Sequence, residues 1–89
     1  MKYDIKIDKY GNKYYYLNNV LHREDGPAVE YASGEKFWYN NGLLHREEGP
    51  ASVLYGEFKY WYLNGKCYGV NDAFTDNSWK TFIKTLIFS

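Results

Sequence analysis

Polar and apolar residues alternate at the start of the chain, where Tyr3, Ile5 and Ile7 are interleaved with Asp4, Lys6 and Asp8. That is the period of a half-buried β-strand, expected to start a sheet. Three aromatic-rich runs follow, Tyr14 to Leu17, Phe37 to Tyr39 and Tyr60 to Leu63. Aromatic side chains favour a pleated surface, so each run reads as a strand. Each ends in a turn pair, Asn18-Asn19, Asn41-Gly42 or Asn64-Gly65. Asn and Gly accept the positive φ that a two-residue hairpin turn demands. Asp25-Gly26-Pro27 and Glu48-Gly49-Pro50 are a second kind of turn, with Pro fixing φ. Short strands are expected after them, over Val29 to Tyr31 and Ser52 to Leu54, with joints at Ser33-Gly34 and Tyr55-Gly56.

The period changes at the C-terminal end. After Thr75 and Asp76, either of which suits an N-cap, apolar residues fall at Trp79, Phe82, Ile83, Leu86 and Ile87. This is the stripe of an amphipathic helix, with Lys80, Thr81, Lys84 and Thr85 on the other side. Such a helix would cover an open sheet edge or one sheet face.

The strands and turns belong to an internal repeat. Lys13-Tyr14-Tyr15-Tyr16-Leu17-Asn18-Asn19-Val20-Leu21-His22-Arg23-Glu24-Asp25-Gly26-Pro27-Ala28 returns, without a gap, as Lys36-Phe37-Trp38-Tyr39-Asn40-Asn41-Gly42-Leu43-Leu44-His45-Arg46-Glu47-Glu48-Gly49-Pro50-Ala51. A third copy begins as Lys59-Tyr60-Trp61-Tyr62-Leu63-Asn64-Gly65-Lys66 and then decays, with Cys67-Tyr68-Gly69 where Leu-His-Arg stood. A terminal repeat has no further neighbour to stack on, so decay is expected there. The sequence therefore predicts a mainly β (α+β) domain. Its stacked antiparallel β-hairpin repeats form a meander sheet, two strands to each unit, closed by one C-terminal amphipathic helix. The boundaries are an N-terminal strand (1–10), repeats 11–33 and 34–56, a degenerate repeat 57–74, and the helix 75–89.

Composition narrows the function. With 89 residues the chain makes one small domain, and 21% aromatic content, including 11 Tyr, supplies its core. Eleven Lys plus Arg balance eleven Asp plus Glu, which argues against a nucleic-acid partner held by phosphate contacts. The single cysteine, Cys67, cannot form an intrachain disulfide or a Cys-based zinc site alone. It reads as a small apolar filler. The opening residues do not read as a signal peptide, and no apolar run is long enough to span a bilayer. The expectation is a cytoplasmic protein without a membrane partner, in the host cytoplasm if phage-encoded.

The Lys-aromatic-Trp-Tyr-x-Asn-Gly-x-Leu-His-Arg-acidic-acidic-Gly-Pro-Ala unit, over Gly11 to about Tyr68, resembles a MORN-like repeat of the YwqK type found in bacteriophages and giant viruses. The resemblance implies successive β-hairpins, and binding or scaffolding more often than catalysis. The His-Arg-acidic-acidic-Gly-Pro portion departs from the ordinary MORN pattern, so no lipid-binding or septal role is carried over. A small repeat protein with a fused helix looks like a phage accessory protein that binds and modulates a host protein, a defence factor being one such target.

Candidate chemistry lies in His22-Arg23-Glu24 and His45-Arg46-Glu47. Imidazole, guanidinium and carboxylate can perform acid–base work or hold an anion. A catalytic set is usually one irregular constellation, whereas these recur at the repeat period, so no enzyme is expected. The simpler role is local: His capping its turn, Arg pairing with an acidic side chain. A metal site would need the two His together with a third ligand, and Tyr68 stands where a third His would be. No metal or cofactor is expected, and no Gly-rich phosphate loop or hydrolase motif occurs. Lys13, Lys36 and Lys59 read as solvated edge lysines.

Tyr15, Trp38 and Trp61 form one aromatic ladder, expected to pack beneath the helix. Tyr14, Tyr16, Phe37, Tyr39, Tyr60 and Tyr62 must then point to the opposite face. One face is core and the other a candidate binding surface; periodicity does not say which. The preferred reading is a non-catalytic protein-interaction module. The alternative is an oligomeric sponge for a nucleotide or other small anion, held by His22, Arg23, His45, Arg46 and the aromatics. Apolar helix residues Ile83, Ile87 and Phe88 suggest a homodimer through the helix.

Overall fold

The alternating N-terminal segment forms strand β1 (Asp4–Ile7), antiparallel to β2 (Lys13–Leu17) in the register Asp4 to Tyr16 through Ile7 to Lys13. In the computed structural model, residues 2–88 are described, with only the backbone of Ile87 and Phe88. Further strands are β3 (Val20–Leu21), β4 (Val29–Glu30), β5 (Lys36–Phe37), β6 (Tyr39–Asn40) and β7 (Leu43–Leu44). They are followed by β8 (Ser52–Leu54), β9 (Phe58–Leu63), β10 (Lys66–Val70), a short 3-10 turn Asn71–Ala73 and helix α1 (Asp76–Phe88). The main sheet runs β1-β2-β4-β5-β8-β9-β10, with β3 on β2 and β6 with β7 as a separate hairpin. All pairs are antiparallel, as the meander requires.

The three Asn-centred turns explain this economy. Asn18 and Asn19 have φ of 51° and 66°, Asn41 and Gly42 of 51° and 81°, and Asn64 and Gly65 of 48° and 81°. Two successive positive φ values match the twist of the flanking strands. The first full unit contributes three short strands and the second four, its aromatic run being divided at Trp38 into β5 and β6, where two are expected from the sequence. The extra ones common to both units, β3 and β7, are the Val-Leu and Leu-Leu pairs after the Asn turns. They are too short to register as a periodic run, and the turn geometry alone folds them back.

Residues on one face of the main sheet alternate large and small across neighbouring strands. Tyr15 N–H donates to Ala28 O (2.8 Å), Trp38 N–H to Ala51 O (2.7 Å), and Trp61 lies opposite Gly69. Ala28 and Ala51 are fully buried between aromatic neighbours. Gly69 is needed for space, since a Cβ there would lie 2.7 Å from the Ala73 Cβ. Small residues let the rings interleave without voids.

The helix covers the C-terminal end of this face. Thr75 caps it, its hydroxyl accepting from Ser78 N–H (3.1 Å) while the Ser78 hydroxyl accepts from Thr75 N–H (2.8 Å). Trp79 (0% exposed) and Ile83 then pack on Trp61 (1% exposed), ringed by Leu63, Tyr68, Phe74 and Phe82. Ring centroids of Trp61 and Trp79 are 5.6 Å apart, and those of Phe74 and Trp79 4.9 Å. Both indole N–H groups are satisfied, Trp61 by Asn71 O (3.0 Å) and Trp79 by Arg46 O (2.9 Å).

Three sequence expectations are corrected. Ile83 is buried in this cluster, so it cannot carry a dimer contact; the Ile87 and Phe88 side chains lie outside the described residues. Cys67 is an exposed free thiol, not a filler, because it lies opposite Tyr62, on the sheet face away from the helix. Lys13 and Lys36 do not lie at a sheet edge but flank Glu30 from both sides within the sheet. No described helix is long and apolar enough to cross a membrane.

Trp79 joins the helix to two repeat units, so its loss should be felt throughout. Trp79→Ala is expected to destabilise the fold by about 3–5 kcal/mol, the usual cost of truncating a buried aromatic, measured by urea unfolding. A loss below about 1 kcal/mol would show that the helix is not an integral cap.

Candidate functional site

The two sheet faces divide the aromatic residues. Tyr15, Trp38 and Trp61 share the face that carries the helix at one end. On the opposite face the cross-strand row runs Tyr14–Val29–Phe37–Ser52–Tyr60, and Tyr16, Tyr39 and Tyr62 stand two residues further along their strands. Val29 and Ser52 are buried, while every Tyr of the set and Phe37 is half-buried. Tyr31 completes the surface, edge-on to Tyr14 (6.3 Å) and to Phe37 (5.5 Å). The structure thus assigns Tyr14, Tyr16, Phe37, Tyr39, Tyr60 and Tyr62 to one partly exposed surface. Val29 and Tyr31 belong to the same surface and are absent from the sequence-derived set. Their period-two relation to each other is the signal that could have placed them there.

Desolvation by partial burial, followed by the nearby Tyr31, raises the pKa of Tyr39. Tyr62 is also raised, by desolvation first and then by Cys67. These phenols stay protonated at neutral pH and present O–H groups on apolar rings. Cys67 sits opposite Tyr62 in the β9–β10 register, so the free thiol lies at the rim of this surface.

His22, Arg23, His45 and Arg46 are drawn into the contacts between units. His22 is 5% exposed, and its Nδ1 accepts from the backbone N–H of Asn41 (2.9 Å), in the turn of the following unit. His45 does the same with Asn64 (3.0 Å). An Nδ1 acceptor requires the tautomer with its proton on Nε2. Arg23 N–H donates to Tyr39 O, and Arg46 N–H to Tyr62 O, both at 3.2 Å. Local capping, expected from the sequence, is replaced by a staple spanning 19 residues. The chain position of the acceptor could not reveal that the donor belongs to the next turn.

The arginine side chains lie flat on the ladder. The Arg23 guanidinium carbon sits 3.9 Å from the Tyr15 ring centroid, and that of Arg46 3.9 Å from the Trp38 ring centroid. Each also donates from Nη1 to the carbonyl of the Gly-Pro turn, Pro27 (3.1 Å) or Pro50 (3.2 Å). Arg23 is paired with Asp25 (3.0 Å) and Glu30 (3.4 Å). The hydrogen bond from the Arg23 guanidinium, helped by its charge, holds the Asp25 carboxyl below its ordinary range. Gly26 and Gly49 make this possible, since a Cβ would meet Arg23 Cζ at 2.8 Å or Arg46 Nη1 at 3.0 Å.

A cleft of about 470 Å³ lies between these turns, lined in part by Trp38, His45 and both arginines. Glu24, Asp25, Glu47 and Glu48 also line it, so two guanidinium charges face four carboxylates. With its arginines already engaged and its balance negative, the cleft offers an anion little gain. Among the described residues no group of three or more His, Cys, Asp or Glu is arranged to hold a metal ion.

Comparison with protein-family models, with curated proteins and with solved structures finds no match for the chain.

Removing the staple should destabilise without abolishing the fold. His22→Ala strips the Asn41 N–H of its acceptor and is expected to cost about 1–3 kcal/mol in urea unfolding. His45→Ala should cost less, because water reaches the more exposed Asn64 bond. Equal or negligible costs would contradict the staple. Gly26→Ala should lift Arg23 off Tyr15, seen in NMR as loss of the ring-current shift on the Arg23 side chain. Retention of that shift would refute the steric account.

Proposed function

We propose that this protein is a non-catalytic interaction module that grips a protein partner through the tyrosine-rich face opposite its helix. The observation that carries this reading is the contiguous surface of Tyr14, Tyr16, Tyr31, Phe37, Tyr39, Tyr60 and Tyr62, half-exposed on a rigid sheet. Tyr rings bury large area at small entropic cost and carry a hydrogen-bonding tip, which is why they are enriched in protein interfaces. The edge-on contacts of Tyr31 with Tyr14 and Phe37 hold these rings in place before any partner arrives. A molecule only 17 Å through its thinnest dimension and 43 Å along its longest suits a flat partner surface better than an enclosed small ligand.

The partner class follows from the sequence reading. If the repeat is MORN-like and of phage origin, the partner is a host protein whose activity is modulated by being covered. The His-Arg pairs then serve the scaffold, and the tyrosine face serves recognition.

The test compares the native protein with a Tyr16→Ser, Tyr39→Ser, Tyr62→Ser variant in cross-linking capture from a host lysate. Loss of interface aromatics typically costs about 2 kcal/mol or more, so capture should fall roughly thirtyfold or further. Circular dichroism should remain native, because these side chains are not in the helix-covered core. Undiminished capture by a folded variant would remove the face from consideration as the contact surface.

A further inference from the structure

We propose that β1 is a self-complementary edge through which two copies of this chain pair into one continuous antiparallel sheet. This rests on the free edge and is independent of the tyrosine face. The opposite edge strand, β10, is interrupted by a register shift between Cys67 and Gly69, whereas β1 pairs with β2 without a shift. A bulge blunts an edge and a regular strand leaves it open.

The backbone groups that face outward can be identified. Asp8 N–H donates to Asn12 O (3.0 Å), continuing the register of Lys6 with Tyr14 and Asp4 with Tyr16. The even-numbered residues therefore turn their N–H and C=O toward β2, and Ile5 and Ile7 turn theirs to the open edge. The side chains of Ile5 and Ile7 are 53% and 63% exposed, a large apolar content for an unpaired strand.

Charge then favours the two-fold register centred on Ile5 over the two registers next to it. With the axis through Ile5, Ile5 exchanges both backbone bonds with Ile5 of the second copy, and Ile7 faces Tyr3. Asp4 then lies opposite Lys6, twice by symmetry, and Lys2 opposite Asp8. Sliding by one pair in one direction sets Lys6 against Lys6 and Asp4 against Asp8. Sliding in the other direction sets Asp4 against Asp4 and Lys6 against Lys2. Like charges directly opposite are destabilising and unlike charges stabilising. Lys6 usually would be read as a guard against edge pairing; here the same charge picks the register. The anchor is preset, because Tyr3 packs edge-on to Tyr15 (5.9 Å) and its hydroxyl accepts from Glu24 N–H (2.9 Å).

The experiment is sedimentation velocity on the full chain, with two charge reversals, Asp4→Lys and Lys6→Asp, made separately and together. Both sites are exposed at the edge, and circular dichroism checks that each variant folds. The native protein is expected to dimerise, and each single reversal to weaken the dimer at least tenfold, about 1.4 kcal/mol. The double variant should recover it, and so should an equimolar mixture of the two single variants, because each then supplies the charge the other lacks. A native protein that stays monomeric up to about 1 mM, corresponding to a pairing energy near 4 kcal/mol, overturns the proposal. So does a dimer indifferent to all the reversals, which would place the contact elsewhere.

Discussion

The contact on which this fold depends is the reach of one unit's Leu-His-Arg segment into the turn of the next. Leu21 O accepts from Gly42 N–H, His22 Nδ1 accepts from Asn41 N–H, and Arg23 N–H donates to Tyr39 O. The same three bonds join Leu44, His45 and Arg46 to Gly65, Asn64 and Tyr62. A hairpin of this size is marginal alone. Strands as short as Val20–Leu21 and Leu43–Leu44 persist because both of their edges are satisfied, one by their own unit and one by its neighbour. Among the described residues no buried side-chain nitrogen or oxygen lacks a hydrogen-bond partner, so the stacking leaves no polar debt in the interior.

The ladder beneath these staples shows how the array ends. In the first two units a guanidinium covers the ring, Arg23 over Tyr15 and Arg46 over Trp38. The third unit has Gly69 where the arginine would be, and Trp61 is covered by Trp79 from the helix instead. Trp79 Nε1–H closes on Arg46 O, joining the cap to the last complete staple. Burial depresses the Arg46 guanidinium, opposed by Asp76 and Glu48, so the helix also brings a carboxylate beside the charge it encloses. A half-buried planar cation thus gives way to a buried indole, and the surface changes from half-wet to dry.

The two faces of the sheet carry different residues. The His-Arg-acidic segments, which look most like chemistry, are committed to joining units. The plainer tyrosines on the other side stay half-buried. Repetition of a reactive-looking triplet is itself informative, since a scaffold needs every copy and a catalytic centre needs one.

Much of the fold was legible in the sequence for local reasons. Asn-Asn and Asn-Gly pairs carry their own φ preference, the C-terminal stripe has helical period, and Thr75 and Asp76 both suit its N-cap, the bonds with Ser78 deciding for Thr75. The identical spacing of Lys13, Lys36 and Lys59 likewise exposed the unit. The candidate residues were legible as a set, Tyr14, Tyr16, Phe37, Tyr39, Tyr60 and Tyr62, because alternation alone puts them on one side. Which side faces water was not, since both faces are aromatic and period two treats them alike. Only the tertiary structure decided it, by laying the helix on the Trp61 side, where Gly69 leaves room for Trp79. It also decided that His22 and His45 hold the neighbouring turns, because the donors that claim them lie 19 residues further along the chain. Local preference is written in adjacent residues; the choice of face and of hydrogen-bond partner is made only when distant segments meet.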